Sequence, residues 1–151
     1  MSTPVTFHLQ ILQAVHATQG NLQAVPAASV FLERVAPFEK DDVPAINIAP
    51  GDSRTESFGS DGDWDILKAN FELTVSHHTR GDGQTALADP AIAESHAALM
   101  ADPSLGGLAQ RLSLLRTRPR KASADGTAGV WDLTYEATIL VDERTLQVWT
   151  Q

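Results

Sequence analysis

Between Val130 and Val141 the chain alternates almost without a break. Trp131, Leu133, Tyr135, Ala137, Ile139 and Val141 interleave with Asp132, Thr134, Glu136 and Thr138. Successive side chains of a strand point to opposite sides, so this pattern predicts a strand with one face buried and the other in water. A second run repeats it: Leu67, Ala69, Phe71, Leu73 and Val75 on one face, with Lys68, Asn70, Glu72 and Thr74 on the other. Two such strands commit the chain to a sheet with one apolar face, and that face has to be covered by another layer.

Two segments carry helical spacing and can supply the cover. In the first, Thr3 or Ser2 is a candidate cap and Pro4 suits the first position. Phe7, Ile11, Ala14 and Val15 share a face that Leu9 and Leu12 widen, and Gly20-Asn21 stops the helix after about Thr18. In the second, Asp89 is a candidate cap and Pro90 fits the first turn, where no N–H is needed. Ile92, His96, Leu99 and Met100 fall on one face, and Asp102-Pro103 ends the helix, because the residue before proline is pushed out of the α region. A tight Leu105-Gly106-Gly107-Leu108 turn follows. Leu112 and Leu114 alternate with Arg111 and Ser113, predicting a strand that runs into the basic segment Arg111 to Lys121. Ala122 to Gly129 reads as a turn or loop, so the last two strands should pair as an antiparallel hairpin.

The remaining segments read as follows. Ala28 to Val35 predicts a strand and Pro37 to Pro44 an acidic loop. Ala45-Ile46-Asn47-Ile48 is a short strand ended by Pro50-Gly51. Asp52 to Asp63 is polar, contains Gly59 and Gly62, and reads as a long mobile loop. His77 to Thr85, with Gly81-Asp82-Gly83 at its tip, reads as a second polar loop. The expected order is helix, strand, strand, strand, helix, strand, strand. That is an α+β fold: a single two-layer domain over residues 1–151, with a mixed or antiparallel sheet of about five strands covered by two helices.

Composition narrows the function. A hydrophobic content of 42% marks a globular chain. The absence of cysteine excludes disulfides and thiolate metal sites, and fits a protein made in a reducing cytosol. The first residues lack a basic region followed by an apolar run, so no signal peptide is expected, and no stretch approaches the roughly 20 apolar residues that span a bilayer. A net charge of −8 argues against broad nucleic-acid binding, which needs a basic surface. The charge is unevenly placed. Glu39 to Asp65 is acid-rich, with Asp61, Asp63 and Asp65 close together. Arg111, Arg116, Arg118, Arg120 and Lys121 sit in one short basic segment. Such asymmetry suits subunits that meet through complementary faces; the alternative is a solvated surface.

No catalytic constellation competes. Asp61, Asp63, Asp65 and Glu72 follow the spacing of a calcium loop, but Ile66 stands where that loop needs glycine for its sharp turn. His77 and His78 are adjacent on a strand and point to opposite faces, so they do not chelate one ion together. His96 lies on an apolar helix face, where a core role with a satisfied ring is expected. There is no Gly-x-Ser-x-Gly elbow, Gly81-Asp82-Gly83 is not a phosphate loop, and the basic segment lacks interleaved aromatics. No cofactor is expected. Of the tryptophans, Trp131 is expected in the core. Trp64 and especially Trp149 are candidate interface anchors.

The order of elements resembles the tail-terminator (tail-completion, or minor tail) proteins of long-tailed bacteriophages. The features that carry this are the N-terminal helix and the Val43-Pro44-Ala45-Ile46-Asn47-Ile48 strand ending in Pro50-Gly51-Asp52. The strand Phe71-Glu72-Leu73-Thr74-Val75 and the helix closing in Asp102-Pro103-Ser104-Leu105-Gly106-Gly107-Leu108 follow. The strand Leu133-Thr134-Tyr135-Glu136-Ala137-Thr138-Ile139 completes the set. The resemblance implies structural work rather than catalysis: a ring, usually hexameric, that caps the tail tube, stops its polymerisation and presents a surface to the head or neck. It implies a location in the virion tail or neck, with assembly in the host cytoplasm. Its implied partners are further copies of the chain, the major tail tube protein and a head-completion or neck protein. DNA would cross the ring without specific binding, and no membrane is involved. Another head–tail connector or neck protein is the nearest alternative. A small enzyme using carboxylates of the acidic loops is the alternative from a different class. Candidate interface residues are Arg111, Arg116, Arg118, Arg120, Lys121, Trp149, Asp61, Asp63 and Asp65.

Overall fold

The computed structural model describes residues 5–61, 64–121 and 127–149; of Lys40, Asp61 and Trp64 it describes the backbone alone. Helix α1 (Phe7–Thr18) is followed by strand β1 (Val30–Leu32), the long strands β2 (Ala45–Asp61) and β3 (Trp64–Arg80), helix α2 (Gln84–Ala101), and strands β4 (Arg111–Lys121) and β5 (Ala128–Asp142). The strands form one mixed sheet in the order β1-β2-β3-β5-β4, parallel between β1 and β2 and antiparallel elsewhere. This is the expected α+β architecture, with the expected sequence of elements.

The alternation that predicted the sheet also builds the core. Ala69, Phe71, Leu73 and Val75 of β3 and Leu133, Tyr135, Ala137, Ile139 and Val141 of β5 are buried, and they join Phe7, Ile11, Leu12 and Val15 of α1 and Ala91 and Leu99 of α2 in one apolar cluster. A large apolar side chain in such a cluster contributes about 1.5–3 kcal/mol by leaving water. Leu12 widens the buried face of α1 as expected, whereas Leu9 is exposed. His96 is satisfied within the core layer: its Nδ1 lies 2.9 Å from the Tyr135 hydroxyl. Trp131 is half-buried and packs against the cluster.

Five expectations are corrected. Helix α1 begins after Thr6, and the anticipated cap at Ser2, Thr3 and Pro4 falls outside the described residues. The strand expected over Ala28 to Val35 shortens to Val30–Leu32, because a 3-10 turn occupies Ala27–Ser29 and Glu33 adopts a positive φ of 54°. The loop expected over Asp52 to Asp63 is ordered strand as far as Asp61: β2 runs past Pro50-Gly51, absorbs register shifts between Pro50 and Ser53 and between Ser57 and Gly59, and stays paired with β3. The loop expected over His77 to Thr85 shrinks to a turn, since His77 to Arg80 pair with Trp131 to Ala128 on β5.

The fifth correction concerns α2. Asp89-Pro90 does not open it; the helix starts at Gln84, with Gly83 as a left-handed cap at φ 68°, and Pro90 lies inside. Pro90 forfeits one backbone hydrogen bond there. Burial offsets that loss, since Ala88, Ala91, Ser95 and Leu99 form the face set against the sheet. The stop at Asp102 stands as expected. Its carboxylate accepts bonds from the backbone N–H groups of Ser104 and Gly106, at 3.1 and 2.8 Å, and Gly106 and Gly107 take positive φ.

Candidate interface: a bare sheet face and two open edges

Both helices lie on the apolar side of the sheet. The other side carries the polar members of the alternating pattern, and they pair across strands. Glu72 and Glu136 stand directly opposite each other. Two like charges so placed repel, and each is answered by a guanidinium: Arg116 Nη2 lies 3.6 Å from Glu72 and Arg54 Nη2 3.6 Å from Glu136. Thr74 and Thr134 are in hydrogen-bond contact beside them. Further along, Asp132 accepts from Ser76 Oγ at 2.6 Å and from Arg120 Nε at 2.7 Å.

The basic segment identified in the sequence is one edge of the sheet. Among the described residues β4 has a neighbouring strand on its β5 side alone. It carries five basic and no acidic side chains. Arg111 donates from Nε to Ser113 Oγ, Arg118 stands opposite Asp132 in the ladder, and Lys121 stands opposite Gly129. The edge is also irregular: register shifts between Leu114 and Arg116, and Pro119 lacks the N–H that a regular ladder uses. Leu114 and Leu115 are 39% and 43% exposed at this irregularity. Charges, a bulge and a proline are the devices that keep an edge from pairing indiscriminately.

The opposite edge belongs to β2. β1 pairs only with Ile46 to Ile48. The stretch of β2 over residues 52–61 therefore has β3 on one side and no strand on the other, among the described residues. Every residue from 51 to 60 is exposed. The stretch holds three acidic residues, Asp52, Glu56 and Asp61, against one basic, Arg54. Phe58 is 56% exposed beside a register shift. The spacing of a calcium loop dissolves here: Asp65 and Glu72 lie along the straight strand β3.

The structure thus gathers Arg111, Arg116, Arg118, Arg120 and Lys121 on one edge and sets the backbone of Asp61 at the other, while the exposed Asp65 lies at the start of the central strand β3, opposite Ser60. Asp63 and the Asp61 side chain fall outside the description. Trp149 joins neither group. It is half-buried, and its backbone N–H bonds Leu140 O at 2.8 Å, next to the Val141–Val148 bridge. Sequence reasoning missed the exposed strand of β2 and the partners of the basic residues. Glu72, Asp132 and Glu136 were visible as outward positions of the alternating runs, but which cation meets which carboxylate depends on register.

No family model and no curated protein matches this chain. Among solved structures it is similar to a chain of the structure described as "Virion of native gene transfer agent (GTA) particle". The identity is 17% and the TM-score 0.48, over 86% of this chain and 94% of that one.

Proposed function

We propose that this chain is a ring-forming structural protein of a phage-like virion: a tail terminator that caps the tail tube, stops its growth and offers a surface to the head or neck. The resemblance in the order of elements supports this reading, and one structural observation carries it. The sheet has two open edges on opposite sides, one basic and one acidic. Identical basic edges repel each other, which disfavours a two-fold dimer through β4. A basic edge against a neighbour's acidic edge is a head-to-tail contact, and such contacts generate a ring when the rotation closes.

The strand directions agree with that contact. β2 is antiparallel to β3, β3 to β5 and β5 to β4, so β4 runs antiparallel to β2. A copy rotated about an axis along the strands presents its β2 antiparallel to β4. Arg54, Asn70, Thr138 and Arg111 share one row across the sheet. β4 extends to one side of that row, and the open part of β2 extends to the other. Setting edge on edge therefore requires a slide along the strands, and a stagger of this kind is what closing a sheet on itself demands. In such a ring a lumen through which DNA slides should lack a basic lining, since that would hold phosphates.

The chain has no cysteine, so introduced pairs report on the contact without background. Ser57→Cys on one edge and Thr117→Cys on the other, combined in one chain and mixed with tubes of the cognate tail tube protein under mild oxidation, should give a ladder of cross-linked species. The ladder should end at one closed ring, and tube length should be capped. Discrete dimers alone, with tubes that keep growing, would refute the reading.

A further inference from the structure

At the end of the sheet away from the open stretch of β2 lies a groove of about 260 Å³. Its walls are the 34–38 loop, Asn47 of β2, His78 and Arg80 at the end of β3, Arg120 of β4 and Gly129 of β5. In a chain with 11 basic residues and a net charge of −8, three guanidinium groups line this one cavity, and among the described residues no carboxylate does.

The groove is built rather than incidental. Arg34 is fixed by donation to Ala36 O at 3.1 Å and Pro37 O at 3.0 Å, with its guanidinium over the rings of Phe31 at 4.6 Å and Phe38 at 4.3 Å. Phe38 in turn stacks on the His78 ring at 4.1 Å. Asp42 and Asp132 pair with Arg34 and Arg120 at 3.1 and 2.7 Å, which sets the planes of both groups. A guanidinium has five N–H donors, so each keeps donors beyond these bonds. Two polar atoms at the groove are buried with no hydrogen-bond partner: Arg80 Nε and His78 Nε2. Burial first, and then the charges of Arg120 and Arg34, hold His78 down at about 4 against the opposing pull of Asp132.

We propose that this groove is a binding site for the carboxylates of an acidic peptide segment on a partner protein, with Arg34, Arg80 and Arg120 as the fork-shaped donors. Planar bidentate recognition of carboxylate is what guanidinium groups do best. The volume suits one or two side chains and is too small for a nucleic-acid duplex. The assignment stands whether or not the ring forms.

Titration calorimetry of the full chain at low salt, with hexa-aspartate as the probe, tests it. Binding is expected, weakened about tenfold or more by Arg80→Gln and by Arg120→Gln, and unchanged by Lys68→Gln on the bare face. Arg120 is half-exposed, so its variant should keep the fold, and circular dichroism checks this. Inorganic phosphate, titrated alone, should bind more weakly than the peptide. No binding of hexa-aspartate, or equal loss in Lys68→Gln, would overturn the site. Phosphate binding as tight as the peptide's, with the same losses, would overturn the ligand class.

Discussion

His77 gives the sharpest test of the core. It sits on β3 at 1% exposure, and neither ring nitrogen has a hydrogen-bond partner. Burial, aided by neighbouring His78 and opposed by Asp132, pulls its pKa from 6.5 to about 4. The folded state therefore holds His77 neutral at pH values where the unfolded chain has already taken up a proton. Because the folded value is the lower one, the unfolded state binds more protons between about 6.5 and about 4, and stability falls as pH drops through that window. A tenfold change in proton affinity is worth about 1.4 kcal/mol, so His77 alone should cost about 3 kcal/mol across it. Replacing the ring by an apolar side chain removes the slope and leaves no polar group unpaired. Urea unfolding of wild type and His77→Leu at pH 7.5, 6, 5 and 4.5 isolates the effect, because the carboxylates titrate alike in both proteins. The variant should gain on wild type progressively as pH falls, approaching about 3 kcal/mol at the acid end. His78, lowered in the same direction by burial first, leaves its own slope in both proteins. Parallel curves for the two proteins would show that His77 finds a partner or water in the folded state, and the reasoning would fail.

Reversing Arg116 and Arg118 to Glu should weaken ring formation or head joining in a salt-dependent way. Folding stability should fall by about 1 kcal/mol, because the reversed charges face Glu72 and Asp132 at the surface; assembly that proceeds normally would make the basic edge a solvated surface only. Leu99→Ala, at a fully buried position of α2, should cost about 2–5 kcal/mol in urea unfolding. Gly51→Val should lower the melting temperature, because a Cβ at Gly51 would lie 3.2 Å from both Cβ and O of Glu72, where the neighbour is mostly backbone.

What the sequence made legible follows from what burial writes into it. The runs around Phe71 and Tyr135 each have one side in the core, so alternation marked them and their partners. Residues 52–60 have neither side in the core, so no periodicity distinguishes them from a loop; their strand state comes from a ladder with β3 that only the fold reveals. The start of α2 failed for a different reason. Asp89-Pro90 satisfies every local rule for a helix start, but burial of Ala88 and Ala91 carries the helix through it. Of the interface candidates, the basic cluster was legible because its residues are close together on one strand. The groove was not, because Arg34, Arg80 and Arg120 are remote in sequence and meet only through the register of β2, β3, β5 and β4.

The outer half of β2 has one more consequence. Its side chains contribute nothing to the core, so its place is held by backbone hydrogen bonds that any residue except proline can make. Replacing those side chains costs the fold little, while it changes what a neighbour encounters along that edge. The chain thereby separates inheritance from adaptation. The alternating strands beneath the helices resist substitution, and the outer half of one strand beside them tolerates it.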